Sequence, residues 1–325
     1  MSVFLQYQKN IAITRDPTIM VDGAGSQLQR SYCTYGLSRF LKISYLHSPL
    51  IGIPYEGLAA LEKNQSDPTL LARYNKTFPI PSDLTLPRKF TRHRLTTLDE
   101  DGFLQIQEEA KSQRTFHLIE LGLPYRISDR HPEILTHVKA ISPFERSSSP
   151  VFRIAIHVRR GDLFAVDSHR MLPNAYYTEV AKMVTNELTK HAIPFRCELH
   201  TEIPSAPILV TPSHYGIGRR IEKPVLMTRE MSHLEDFDDI SCLEKYLNLD
   251  PIKTIALMAT ADLLVISRSS FSFLSAILNK KGIILYHPFW HAAPIEWIDT
   301  THVPSFQPRL AMAIESWKKD RERRS

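Results

Sequence analysis

The sequence predicts an α/β protein of two domains, each built on a parallel sheet with helices on its faces. Three observations carry this expectation. The chain has 325 residues, 43% of them hydrophobic and 23% charged, which suits two cores of ordinary size. From 151 to 286, short aliphatic and β-branched runs alternate with helical stretches. That alternation is the mark of a doubly wound parallel sheet. Near the N-terminus, residues 18–47 read as a second strand–loop–helix–strand unit.

Taken in order, a strand is expected over Thr18–Val21, then a glycine-containing loop, a helix to about Phe40 and a strand over Ile43–Leu46. Residues 50–145 carry many prolines and charges, and only a helix near Leu104–Lys111 stands out. The SSSP run at 147–150 reads as a linker. After it come a buried strand over Val151–Val158, an amphipathic helix from Asn174 to about His191, and short strands from Phe195 and Pro224. Asp250 and Pro251 mark a helix start, with the aspartate as N-cap and proline in the first turn. That helix runs to Ala261, followed by a strand at 263–267, a helix over Ser270–Asn279 and a strand over Gly282–Tyr286. The expected division is 1–148, 149–300, and a C-terminal helix with a basic tail over 301–325.

Composition narrows the function. The net charge is +5, and part of it sits in the tail from Lys318 to Arg324, which reads as a solvated helix end. No Arg/Lys stripe with interleaved aromatics occurs, so nucleic acid is not an expected partner. The N-terminus has no apolar core for a signal peptide, and no stretch is apolar enough for a transmembrane helix. Cys33, Cys197 and Cys242 are odd in number and scattered, with neither metal spacing nor a disulfide framework. A reducing, cytoplasmic location is the expectation, in which the sequons at Asn64 and Asn75 would carry nothing.

Three segments could carry chemistry. HVRRGD, from His157 to Asp162, sits where a buried strand ends, and ligands of open parallel sheets bind at such ends. Two adjacent arginines there suit a diphosphate, through charge-assisted hydrogen bonds. One of Arg159 and Arg160 would face the ligand and the other would pair with Asp162. The plain alternative is two surface arginines. In the second segment, Asp262–Leu278, a strand ends at Ser267 and a helix begins near Ser270. Amides and hydroxyls at a helix start bind phosphate well, although Ser269 or Ser270 could simply cap the helix. The third is the GAGSQ loop, Gly23–Gln27, which lacks full dinucleotide-loop spacing and could be an ordinary turn. The DFDD string at 236–239 contains a DxD-like pattern and reads as an acidic loop.

Together and in this order, the segments resemble the fucosyltransferase superfamily, with the α-1,2-fucosyltransferases nearest. HVRRGDL from His157 is similar to that family's HVRRGDY signature. LPNAYYTEVAKMV from Leu172 is similar to its paired-tyrosine helix, and Ile255–Trp290 to its late block. DGAGSQLQ from Asp22 resembles its glycine loop. The resemblance is strong over about 150–290, weaker over 18–47 and absent between them. It implies a GT-B-like fold, two Rossmann-type domains with parallel sheets facing across a cleft. It also implies inverting transfer of fucose from GDP-fucose to a glycan hydroxyl, with α-1,2 linkage favoured and neither metal nor other cofactor required. The partners implied are a nucleotide-sugar donor and a glycan acceptor.

By the same resemblance Arg159 contacts the β-phosphate, His157 lines the nucleotide site and Arg160 supports the loop. Ser269 and Ser270 bind phosphate oxygens, and Gly23, Gly25 and Gln27 join the binding set. Asp167, ten residues after His157, is the expected base, with Asp162 and His169 as rivals and Asp22 as an outside candidate. Three positions depart from the family. Thr254 stands where a guanine-reading aspartate is common, so another nucleotide or sugar stays open. The region of Glu198–Glu202 replaces an acidic turn, so His200 and Glu202 are added as candidates. Phe273 and Leu274 replace a tryptophan pair. A nucleotide-sugar or glycan binder without turnover, and a basic binder of nucleic acid or phosphorylated ligands, are the competing readings.

Overall fold

The computed structural model describes residues 8–19, 23–58, 62, 67–123, 131, 133–146, 149–166, 168–211, 224–301 and 303–323. The chain divides into two compact units. The first comprises Met1–Pro54, Pro68–Pro143 and Trp290–Pro294, the second Tyr55–Asp67, Phe144–Phe289 and Ile295–Ser325.

The first unit runs β1 (Gln8–Arg15), α1 (Ala24–Leu41), β2 (Ile43–Tyr45), α2 (Leu70–Thr77), β3 (Thr91–Leu95), α3 (Glu100–Gln113), β4 (His117–Leu121) and α4 (Ile134–Ala140). Its sheet has the order β2-β1-β4-β3, and every pairing is parallel. Ile11, Ala12 and Ile13 of β1 and Ile119 and Leu121 of β4 are fully buried at its centre. Asp99 caps α3 by accepting from the Gly102 amide at 2.9 Å. The expected strand at Thr18–Val21 is corrected: the strand is β1 and ends at Arg15. There the Asp16 carboxylate accepts from both the amide and the hydroxyl of Thr18, at 2.9 and 2.7 Å, and this local turn takes the place of a ladder. Residues 20–22 lie outside the described residues.

The second unit runs β5 (Phe152–His157), α5 (Leu163–Val166), α6 (Asn174–Lys190), β6 (Phe195–Thr201), β7 (Ile208–Val210), β8 (Val225–Met227), β9 (Leu243–Leu247), α7 (Pro251–Ala259), β10 (Leu263–Val265), α8 (Ser270–Leu278), β11 (Ile283–Tyr286), β12 (Ile298–Asp299) and α9 (Val303–Glu322). Six strands form a sheet of order β12-β11-β10-β5-β6-β9, again with parallel pairings throughout. β5 is buried along its whole length, which is why it reads as a continuous run. The strand expected from Pro224 exists as β8 but pairs antiparallel with β7, outside the parallel sheet. Asp250 caps α7 through the Lys253 amide at 3.0 Å, with Pro251 in the first turn. Phe306, Leu310, Ile314 and Trp317 of α9 belong to the core, and Trp317 meets Phe152 edge-on at 4.7 Å.

Both units are therefore α/β, each on an all-parallel sheet. Among the described residues no helix is long and apolar enough to cross a membrane. Cys33 and Cys197 are buried, Cys242 is exposed, and all three are free thiols. Burial pushes the Cys197 thiol up to about 12, which keeps it an unreactive thiol.

Candidate functional site

The path of the chain through the second sheet picks out one place. From β5 it steps to β6 and then β9, then returns to the other side of β5 to lay down β10, β11 and β12. The order reverses between β5 and β10, which pair directly through Ile154–Leu263, Ala155–Leu264 and Ile156–Val265. In open parallel sheets the crevice outside the carboxyl ends at such a reversal is where ligands bind. The HVRRGD segment leaves the end of β5, and the Ser267–Ser270 loop leaves the end of β10.

The two segments are joined. His157 Nδ1 lies 2.7 Å from Ser267 Oγ, and both residues are buried. Ser267 Oγ is also 3.3 Å from Ser272 Oγ, and Ser272 accepts from the Ser267 amide at 3.3 Å. Burial, helped by Arg159, His200 and Arg160, holds the His157 imidazole well below its usual pKa. It is therefore neutral at pH 7, with a donor and an acceptor nitrogen rather than a charge. Ser269 is the N-cap of α8, accepting from the Phe271 amide at 3.2 Å, and Ser270 is the first helical residue. The positive end of α8 thus opens beside the end of β5.

Arg159 is held rather than loose. Its Nη2 pairs with Asp162, which is fully buried, and its Nη1 lies 3.4 Å from Glu202 Oε2. The guanidinium also stands 5.9 Å from the Tyr55 ring. Gly161 makes this possible. Its φ is +53, a left-handed conformation, and a Cβ there would sit 3.3 Å from Arg159 Nη1 and 3.4 Å from Glu202 Oε2. On the far side of Glu202, a Cβ on Gly57 would lie 2.4 Å from Oε1, and its φ of +108 excludes most side chains. Burial raises the Glu202 carboxyl, Arg159 pulls it back, and Asp162 raises it again.

The sequence left open which arginine would pair with Asp162, and in the structure Arg159 takes that pair. Arg160 instead donates to the carbonyls of Arg159 and Leu172, each at 3.0 Å, and to Asn174 Oδ1. It ties the loop to the start of α6 and stacks 5.9 Å from Tyr177. Asp162 has no exposed surface and pairs with Arg159. His169 is exposed in a single 3-10 turn over Ser168–Arg170. Asp167 and Asp22 lie outside the described residues.

Gly23, Gly25 and Gln27 belong to the first unit. Gly23 is the extended N-cap of α1, Gly25 sits in its first turn, and Gln27 donates to the Gly52 carbonyl at 2.9 Å. In the second unit, Thr254 turns its hydroxyl onto the Asp250 carbonyl at 3.0 Å. His200 is buried against Tyr246, with the rings stacked at 5.2 Å. In the DFDD string, Asp236 accepts from Asn174 at 3.0 Å and Asp238 pairs with Lys245. Three residues at the site escape the sequence reading. Ser267 could have been found as the polar residue closing a buried strand. Arg268, near His287 at 3.4 Å, adds a cation between the serines. Tyr55 carries no sequence signal, because it comes from a distant part of the chain.

No family model matches the chain, and no curated protein matches it. Among solved structures, it is similar to the E. coli heptosyltransferase WaaC with ADP-2-deoxy-2-fluoro heptose, at 11% identity over 95% of this chain and 99% of that one, TM-score 0.36. POFUT1 in complex with GDP aligns at 11% identity over 86% and 98%, TM-score 0.40. E. coli ADP-heptose lps heptosyltransferase II aligns at 12% identity over 97% and 100%, TM-score 0.32.

Proposed function

We propose that this chain is a GT-B-like glycosyltransferase that moves fucose from GDP-fucose to a glycan hydroxyl, with inversion, in α-1,2 linkage and without a metal. The observation that supports it is the meeting of HVRRGD and the start of α8 at the point where the strand order reverses, with His157 bonded to Ser267. Residues 149–300 would bind the donor, 1–148 the acceptor, and 301–325 form the closing helix and basic tail.

In this reading the acceptor oxygen attacks C1 of the sugar as the bond from C1 to the β-phosphate oxygen breaks. The electron pair leaves with GDP, and the hydroxyl proton passes to the base, for which Asp167 is proposed. Negative charge grows on the diphosphate as it departs. Arg159, its direction set by Asp162 and Glu202, and the first-turn amides of α8 would stabilise that charge without reorganising. Ser269 and Ser270 would take phosphate oxygens and Arg160 would hold the loop; for Gly23, Gly25 and Gln27 of the first unit a separate part in substrate binding is proposed.

A second reading is carried by Thr254. Its hydroxyl is committed to its own helix and Asp250 to the cap, which favours a transferase using a nucleotide other than GDP. The test is release of GDP from GDP-fucose in EDTA with a panel of glycan acceptors, and the anomeric configuration of the product by NMR. Acceptor-dependent release with inversion is expected. Retention of configuration, or turnover only with added Mg²⁺, would sink the mechanism, and binding without turnover would point to a sugar-nucleotide binding protein.

A further inference from the structure

Away from this site, the first unit gathers His93 of β3, Glu109 of α3 and His117 at the start of β4. One ligand-capable atom from each lies within 4.8 Å of the others. We propose that this trio binds one divalent transition-metal ion, zinc in the first instance, as a structural clasp between the edge strand β3 and the connection from α3 to β4.

The hydrogen bonds around His117 prepare it for this role. Its Nε2 lies 2.9 Å from Thr115 Oγ1, and Thr115 Oγ1 in turn reaches Gln113 Oε1 at 3.4 Å. A hydroxyl has one proton. Given to the Gln113 oxygen, it leaves Thr115 to accept from His117 Nε2–H. That tautomer places a lone pair on His117 Nδ1, which faces His93 Nε2 at 2.8 Å. Metal-bound imidazoles are oriented in this way, by an outer oxygen that takes the second N–H.

Either a proton on His93 or a cation must occupy the space between the two nitrogens. Two Zn–N bonds of about 2.0–2.1 Å span about 3.3 Å at a tetrahedral angle. The rings would have to part by roughly half an ångström, and His93, half-buried on an edge strand, has room to turn. A bond between two imidazoles needs no third group, whereas an ion does, and the Glu109 carboxylate supplies it. Two imidazoles with one carboxylate suit zinc and its neighbours and disfavour magnesium and calcium. His117 opens a parallel strand, at the edge of the sheet opposite the carboxyl ends where ligands of such sheets bind. An ion here would hold structure together, and its presence is independent of the transfer reaction.

The test uses the full chain after dialysis against EDTA, titrated with Zn²⁺ by calorimetry and with Co²⁺ by visible absorption. One ion per chain is expected, with a higher melting temperature in Zn²⁺ and none of that gain in Mg²⁺. His93→Gln and Glu109→Gln, at half-buried positions, should lose the Co²⁺ spectrum. Thr115→Val should weaken binding by about 10–100-fold, and Thr115→Ser should restore it. Absence of stoichiometric binding, or binding indifferent to both His93→Gln and Thr115→Val, would overturn the proposal and leave a simple imidazole–imidazole hydrogen bond.

Discussion

Replacing Arg159 by alanine is expected to lower donor turnover by about 10²–10³-fold, the loss typical when one preorganised donor to a developing charge is removed. A second effect accompanies it. Asp162 is fully buried and pairs with Arg159, so the single change removes a cation from beside a buried carboxylate. Breaking a buried pair from one side costs about 3–5 kcal/mol. The two effects separate in the double variant Arg159→Ala with Asp162→Asn. Neutralising the buried acid should return part of the stability lost, seen in the urea midpoint, while GDP release stays low. If the double variant regained turnover along with stability, Arg159 would be a scaffold residue and not a phosphate ligand.

The second large effect is expected in the core of the second unit. Arg153 of β5 grips Glu198 of β6 with two hydrogen bonds of 3.0 and 2.9 Å, and both side chains are buried. Burial alone would raise the Glu198 carboxyl, but the His200 imidazole 3.6 Å away and the hydrogen bonds from Arg153 outweigh it and carry the pKa from 4.5 down to about 2. A depressed acid stabilises the folded state above its unfolded pKa. That contribution is lost as pH falls through the folded value. From the size of the shift it amounts to roughly 3 kcal/mol at neutral pH. Urea unfolding of the wild type and Glu198→Gln should therefore differ most at pH 7 and converge between about pH 4.5 and 2. Arg153→Met, which removes two charge-assisted hydrogen bonds and leaves the acid with Arg196 Nε at 3.0 Å, should cost about 1.5–3 kcal/mol at pH 7. A gap between wild type and Glu198→Gln that does not close in acid would contradict the assignment.

The parts of the fold that were legible are those whose side chains are uniformly apolar. β5, β10 and β11 sit inside the second sheet and read as aliphatic runs, and the caps at Asp250 and Ser269 follow ordinary helix-start chemistry. The first unit hid itself for the opposite reason. Its central strand β1 is QKNIAITR, with only three aliphatic residues in a row and a buried Arg15 at its end, so the neighbouring TIMV run drew the strand assignment instead. β3 is TRHRL, an edge strand whose charged residues face water, as edge strands are expected to carry. β9, LEKYL, is the corresponding edge of the second sheet.

At the site, the residues near one another in sequence were the legible ones, His157 to Asp162 and Ser269 to Ser270. The partners that orient Arg159 were less so. Glu202 was named only because it stands where the family pattern breaks, and Tyr55 and Gly57 reach it from a part of the chain about 150 residues away, across a distance that no local pattern records. Which arginine pairs with Asp162 could not be read from the sequence, because strand alternation stops at His157. The strand ends there, and Gly161 at φ +53 turns the chain so that Arg159, not Arg160, meets the acid.

The central claim is a nucleotide-diphosphate site at the ends of β5 and β10, and a melting experiment tests it most directly. Wild type and the Arg159→Ala, Asp162→Asn variant would be heated with GDP, UDP, ADP or CMP, in EDTA and in Mg²⁺. Each curve is compared with the same buffer lacking nucleotide, so that removal of any structural ion cancels. A ligand at a hundred times its Kd adds about 2.7 kcal/mol. The expected result is a rise with GDP in EDTA that the variant loses. No rise with any nucleotide, or an equal rise in wild type and variant, would contradict the site.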